Sequence, residues 1–135
     1  MTDIELLKTS LKSAMAVYQN VLDNETDCIT NIATKLGDIL EAGGTIYLCG
    51  NGGSAADAQH IAAEFVGRFL RERKALPAQA LTVNTSILTA IGNDYDFSQI
   101  FSRQVKAMVT AKDALVGIST SGKSVNVLEA IKEAK

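Results

Sequence analysis

Apolar residues recur at alternating steps of three and four along the start of the chain: Ile4, Leu7, Leu11, Ala14, Tyr18 and Val21. This spacing predicts a helix over residues 3–22 with a narrow seam made for packing on another helix. A second helix is predicted from a cap at Asn24 through Ile29, Ile32, Leu36 and Ile39, stopping at Gly43-Gly44. The period then alternates between strand and helix. A strand at 45–49 leads into a helix from Ser54 to about Phe69, followed by the charged connection Arg71-Glu72-Arg73-Lys74. After Pro77 come a strand at 79–83, a short helix at 86–91, the turn Gly92-Asn93-Asp94 and a helix over about 97–109. A third strand at 114–118 and a helix from Ser124 onward complete the pattern. Strands alternating with helices imply a parallel sheet covered on both faces, an αβα sandwich. With no repeat or low-complexity stretch, the chain reads as one domain over 1–135, helical at 1–43 and α/β at 44–135. Three strands make a narrow sheet, so the α/β part is expected to be incomplete at its carboxyl end.

The turn after the first strand is the most informative point. Gly50-Asn51-Gly52-Gly53-Ser54 joins a strand to a helix, and glycines there let the backbone approach a ligand closely. The helix start behind them offers free N–H groups to an anion. At about 3.6 residues per turn, Asp57, His60, Glu64 and Arg68 form one polar stripe, with Ala58, Ile61, Ala62, Phe65 and Phe69 on the other side. His60 is the chain's only histidine. With Glu64 four residues on, it can share a metal or divide proton-transfer work, although alone the pair is only part of a catalytic zinc site.

Composition narrows the classes. A net charge of −2 with interspersed signs and 5% aromatic residues provides neither the basic stripe nor the stacking platforms of a nucleic-acid binder. The first residues lack the basic lead and apolar run of a signal peptide, and no stretch is long enough to span a bilayer, so neither a membrane nor a secreted role is expected. A cytoplasmic protein is the expectation, with Cys28 and Cys49 reduced and serving as small core residues.

A second turn, Gly117-Ile118-Ser119-Thr120-Ser121-Gly122-Lys123-Ser124, crowds hydroxyls and backbone N–H groups between a strand and a helix, which is the chemistry of a phosphate cradle. It also satisfies the nucleotide P-loop pattern G-x-x-x-x-G-K-S. Against a P-loop, no strand ends in an aspartate suited to hold magnesium, and Gly117 falls inside the strand pattern. The first turn fits the looser dinucleotide pattern G-x-G-x-x-A, but the second strand ends at Asn84 with no carboxylate for a ribose. Two phosphate-competent turns in one small sheet suggest a phosphorylated metabolite.

Leu48 to Ser54, His60-Ile61-Ala62-Ala63-Glu64, Gly92-Asn93-Asp94, Phe101-Ser102-Arg103 and Gly117 to Gly122, in this order, resemble the bacterial phosphoheptose isomerases, enzymes of the sugar isomerase (SIS) domain family. The resemblance covers nearly the whole chain. It implies a flavodoxin-like SIS fold and a homotetramer with active sites at subunit contacts, consistent with the seam of the first helix. The implied reaction converts sedoheptulose 7-phosphate to D-glycero-D-manno-heptose 7-phosphate through an enediolate, the first step toward the ADP-heptose of lipopolysaccharide core.

Carried over by position, Ser119, Thr120, Ser121 and Ser124 would hold the phosphate, leaving Lys123 incidental. Asn51, Gly52, Gly53, Asn93 and Asp94 would contact the sugar, with Arg68 as an aid at the far end of the stripe. Glu64 would be the general base and a substrate contact, and His60 with Glu64 part of a zinc site. Members of the family continue past this point with further strands and a final helix that carries the remaining metal ligands and the general acid. Ending at Lys135, the chain itself would be expected to show little isomerase activity. The competing classes are a non-catalytic SIS-domain phosphosugar binder or replication-initiator-associating protein, and a P-loop nucleotide binder. Retention of both His60 and Glu64 favours the enzyme.

Overall fold

A computed structural model describes residues 1–135 and separates two compact units, Met1–Lys35 and Leu36–Lys135. The second unit therefore starts within a helix, ahead of the Gly43-Gly44 break, because Leu36 and Leu40 pack into its core.

In the first unit, helix α1 covers Asp3–Asn24, and helix α2, which runs on into the second unit, covers Thr26–Glu41. The start of α1 is fixed by a capping box: the Thr2 hydroxyl accepts from the Glu5 amide at 3.3 Å, and the Glu5 carboxylate accepts from the Thr2 amide at 2.7 Å. Asn24 is not the cap of α2. Its side chain donates back to Asn20 and it closes α1, with Glu25 as the C-cap. No residue of α1 is buried, and the seam residues Ile4, Leu7, Leu11 and Tyr18 are exposed. Cys28 is exposed as well, so the core role expected of both cysteines belongs to Cys49 alone.

The second unit is built on three strands, β1 (Ile46–Gly50), β2 (Ala78–Ala80) and β3 (Ala114–Ile118), all parallel in the order β2-β1-β3. Between them lie α3 (Gly53–Val66), α4 (Thr85–Asp94), a 3-10 turn at Phe97–Gln99 and α5 (Ser102–Met108), and α6 (Val125–Glu133) follows β3. The side-chain alternation of β1 divides the core into two layers. Ile46 and Leu48 join Ala58 and Ala62 of α3, with Leu36 and Leu40 of α2 packed around them. Cys49 joins Phe101 and Val105 from around α5 and Val127 and Ala130 of α6 on the opposite face. Burial pushes the Cys49 thiol up to about 11, which suits a packing residue and not a nucleophile.

Four expected boundaries differ. Strand β2 is shorter than 79–83 because the chain turns away after Leu81. Gly92, Asn93 and Asp94 are the last turn of α4, not a turn after it, since Asn84 caps the helix through the Ile87 amide at 3.0 Å and starts it early. The helix expected over 97–109 splits at Ile100 and Phe101, whose side chains are drawn into the core. Helix α3 stops at Val66 because the Arg73 guanidinium takes its last carbonyls, donating to Glu64 at 2.7 Å and Phe65 at 2.8 Å.

Gly50 closes β1 where no side chain fits: a Cβ there would lie 2.7 Å from the Ser54 carbonyl oxygen and 2.9 Å from that of Ile118. Gly50→Ala is expected to destabilise the protein by about 1–3 kcal/mol, the cost of forced overpacking, read as a lowered urea midpoint at unchanged slope.

Candidate functional site

The connections place a crevice at one end of the sheet. Helix α3, leaving β1, packs on one face, whereas α6, leaving β3, packs on the other. Neighbouring parallel strands whose following helices part in this way leave a gap beyond their carboxyl ends, where open α/β folds bind ligands. The register pairs Cys49 with Gly117 and Gly50 with Ile118, so the turns after β1 and β3 emerge side by side. A cavity of about 420 Å³ opens there, lined by Asn51, Ser124, Val125 and Asn126, with Asp96, Phe97 and Ser98 on its rim.

The first wall is the turn Asn51-Gly52. Gly52 has φ +56°, a conformation that favours glycine, and it starts α3 without a side-chain cap. The second wall is the run Ser119 to Ser124, where three hydroxyls cluster: Ser119 Oγ lies 3.0 Å from Ser124 Oγ and 3.4 Å from Ser121 Oγ. Ser121 Oγ also accepts from the Lys123 amide at 3.1 Å, and Gly122, at φ +64°, reverses the chain. Ser124 is the N-cap of α6 but makes no side-chain cap bond, and in the first turn the Val127 amide is taken by Asn126 Oδ1 at 3.0 Å. Thr120 sits exposed in the same run. Gly117 lies within β3, not at the mouth of the loop, which departs from the geometry of a P-loop, and Lys123 is exposed.

The ridge of α3 carries the ionisable pair. His60 Nε2 lies 3.7 Å from Glu64 Oε1, with the histidine side chain 75% exposed and the glutamate 34%. Both line a hollow of their own, walled by Ile61, Phe65, Phe69 and Arg73. Arg68 falls beyond the end of α3 and therefore leaves the His60–Glu64 stripe; it pairs with Glu72 at 3.6 Å on the surface. Asn93 and Asp94 lie at the end of α4, where the Asn93 amide donates to the Asp94 carboxylate at 2.8 Å. Asp94 lines a third hollow, between α4 and α5, beside Arg103, whose guanidinium stacks 3.9 Å from the centre of the Tyr95 ring. Of the site residues singled out by spacing, Asn51 and Ser124, His60 and Glu64, and Asp94 line three separate concavities of one unit, and the others line none of these three. Only Asn51 and Ser124 of all these residues line the crevice itself.

Three members of the crevice had no signal in the spacing: Asn126, Asp96 and Ser98. The Asp96 carboxyl is held below its usual range by hydrogen bonds from Ser98, which makes it the cap of the 3-10 turn. As for a metal, no group of three or more His, Cys, Asp or Glu side chains gathers anywhere in the chain. His60 and Glu64 are donors of the right type at a workable spacing, but two donors fall short of the three protein ligands a catalytic zinc takes, so a zinc site is not completed by these residues.

The SIS domain profile matches residues 11–135. Phosphoheptose isomerase 1 of Campylobacter jejuni subsp. jejuni serotype O:2 is 62% identical over 107 residues, covering 79% of this chain and 58% of the relative. The phosphoheptose isomerase of Desulfovibrio desulfuricans is 51% identical over 132 residues, covering 98% of this chain and 63% of the relative. The solved structure of phosphoheptose isomerase GmhA from Neisseria gonorrhoeae superposes with a TM-score of 0.90 at 46% identity, covering 98% of this chain and 69% of that one. The chain belongs to the SIS domain family, within the group of the phosphoheptose isomerases. It spans 58% and 63% of the length of the two curated relatives named.

The hydroxyl cluster makes its own test. Replacing Ser119 and Ser124 together by Ala is expected to weaken inorganic phosphate binding at least tenfold, measured by phosphorus NMR titration, while the melting temperature changes little because both hydroxyls are near the surface.

Proposed function

We propose that the protein is an aldose–ketose isomerase of phosphorylated heptoses, converting sedoheptulose 7-phosphate to D-glycero-D-manno-heptose 7-phosphate on the route to ADP-heptose and lipopolysaccharide core, in the cytoplasm. The observation that carries this reading is the pairing of two functions on adjacent strands. A hydroxyl-lined helix start follows β3, and a helix bearing a half-buried carboxylate, Glu64, follows β1. The relatives' names supply the sugar.

In this reading Ser119, Thr120, Ser121 and Ser124 take the phosphate with the first amides of α6, whose dipole favours the negative charge. Asn51, Gly52 and Gly53 lie along the sugar, and Asn93, Asp94 and Arg68 bear on it from the neighbouring surfaces. Glu64 Oε removes a proton from C1 of the open-chain ketose. The C–H electron pair becomes the C1–C2 double bond of an enediolate while the C2 carbonyl π pair moves onto O2; return of the proton to C2, with the O1 proton passing to O2 as the C1 carbonyl forms, gives the aldose. His60, 3.7 Å from Glu64, is near enough to assist in relaying that proton. Because the donor set for zinc is incomplete here, no step is routed through a metal.

The same reading includes a homo-oligomer, with a tetramer as the expected state. Its support is α1, a helix of 22 residues with exposed Leu7, Leu11 and Tyr18 at coiled-coil spacing and no buried residue of its own. A second copy presents the same seam and covers it.

Two outcomes check these points. Incubation of the complete protein, of which this chain spans the part described, with sedoheptulose 7-phosphate, followed by proton NMR, should show aldose appearing, and Glu64→Gln should slow it about 10²–10⁴-fold, the usual worth of a general base; no aldose from the complete protein, or an undiminished rate in its variant, overturns the reading. In sedimentation velocity the protein should run as an assembly, and Leu7→Glu with Leu11→Glu should shift it to the monomer.

A further inference from the structure

Asn126 stands out among the buried polar groups. It is the second residue of α6 and only 3% exposed, yet its side chain reaches across 75 residues of sequence to Asn51. Asn126 Nδ2 donates to Asn51 Oδ1 at 2.8 Å, and Asn51 Nδ2 donates to Asn126 Oδ1 at 2.8 Å. The two amides lie head to tail. Asn126 Oδ1 also accepts from the Val127 amide at 3.0 Å, so both acceptor sites of that oxygen are occupied and the orientation of its amide is locked.

That lock has a consequence for the crevice. A carboxamide has two donor hydrogens and two acceptor sites. Asn51 places one of each on Asn126 and keeps one of each for anything that enters the cavity both residues line. Which edge of Asn51 remains free is therefore decided by Asn126. The same pair ties the turn after β1 to the start of α6, so it holds the two walls of the crevice at a fixed separation. No other side-chain bond joins Asn51 to α6.

We propose that Asn126 is a positioning residue for ligand binding: it fixes the Asn51 amide, and with it the sugar-facing turn, against the phosphate-facing helix. The proposal rests on the phosphosugar reading for the identity of the ligand, but not for the lock itself. Hydroxyl or carboxylate substitutes cannot do this job, since they lack either the reach or the donor.

The test is a cycle of variants: Asn126→Asp, Asn51→Ala and the two together. Asn126→Asp keeps the shape and both accepting roles, losing only donation to Asn51; Asn126→Leu, similar in shape and uncharged, serves as a second probe. Each is measured for KM and kcat with sedoheptulose 7-phosphate and for protection of the Asn51 side-chain N–H signals in nitrogen-edited NMR. Asn126→Asp should abolish the protection and raise KM about tenfold with kcat changed less, and in the Asn51→Ala background it should change KM less than twofold. An equal effect in both backgrounds would mean that Asn126 acts directly or through charge, and retained protection would mean there is no lock; either result overturns the proposal. Absence of turnover in the unaltered protein strikes the isomerase reading instead, and the NMR arm still decides the lock.

Discussion

The parallel pairing of β1 with β3 is the constraint on which the rest of the second unit depends. It sets Gly50 opposite Ile118, and from there two turns must leave the sheet at the same level and in opposite directions. Their close approach is possible only because position 50 has no side chain: the Ser54 and Ile118 carbonyl oxygens already occupy the space a methyl group would need. Once the turns are side by side, α3 and α6 begin at the same crevice.

Two further devices act at the opposite end of the sheet, where the strands begin. Asp113 stands before β3 and accepts from the Thr45 amide at 2.8 Å and from the amide and hydroxyl of Thr110, each also at 2.8 Å, tying the start of β1 to the loop that delivers β3. Desolvation pushes the Asp113 carboxyl up, but the hydrogen bonds from Thr110 and Thr45 and the charge of Lys112 outweigh it and hold the group below its ordinary value. A depressed acid stabilises the fold at pH above its unfolded value and loses that contribution as the pH falls through the folded one, so this tie is complete near neutrality and fails only in acid. At the far end of α3, Arg73 performs the matching service by capping the free carbonyls.

Much of this was legible in the chain. The period of the apolar positions located every helix and all three strands, and the two glycine- and serine-rich turns were recognisable because their backbone demands are local. What was not legible depends on contacts distant in sequence. Asn93 and Asp94 read as a turn because Gly92 suggested one, yet Asn84 caps α4 and carries the helix through them. Arg68 read as part of the α3 stripe because nothing local reveals that Arg73, eight residues after Phe65, folds back to end the helix. Asn126 looked like an ordinary helix residue, since its partner is Asn51. The seam of α1 was legible as a pattern, but a pattern does not say what covers it, and within one chain nothing does.

The arrangement favours an extended, phosphorylated ligand over a compact one. The hydroxyl cluster belongs to the connection from β3 into α6 and the His60–Glu64 pair to the second half of α3, elements anchored on neighbouring strands. Helix α3 is held at its start by the Ser54 amide on the Asn51 carbonyl at 3.0 Å and at its end by Arg73, which fixes the backbone of Glu64 relative to the sheet. A base placed on a rigid element has its distance to the anion site fixed by strand pairing and helix pitch, not by induced fit. A ligand that engages both must carry its anionic group and its reacting carbon at opposite ends of a chain of several atoms. An open-chain sugar with a terminal phosphate meets that requirement, whereas free phosphate reaches only the hydroxyl end. On the proposed function, binding energy from the phosphate, which takes no part in the proton transfer, would be available to orient the reacting carbon against Glu64.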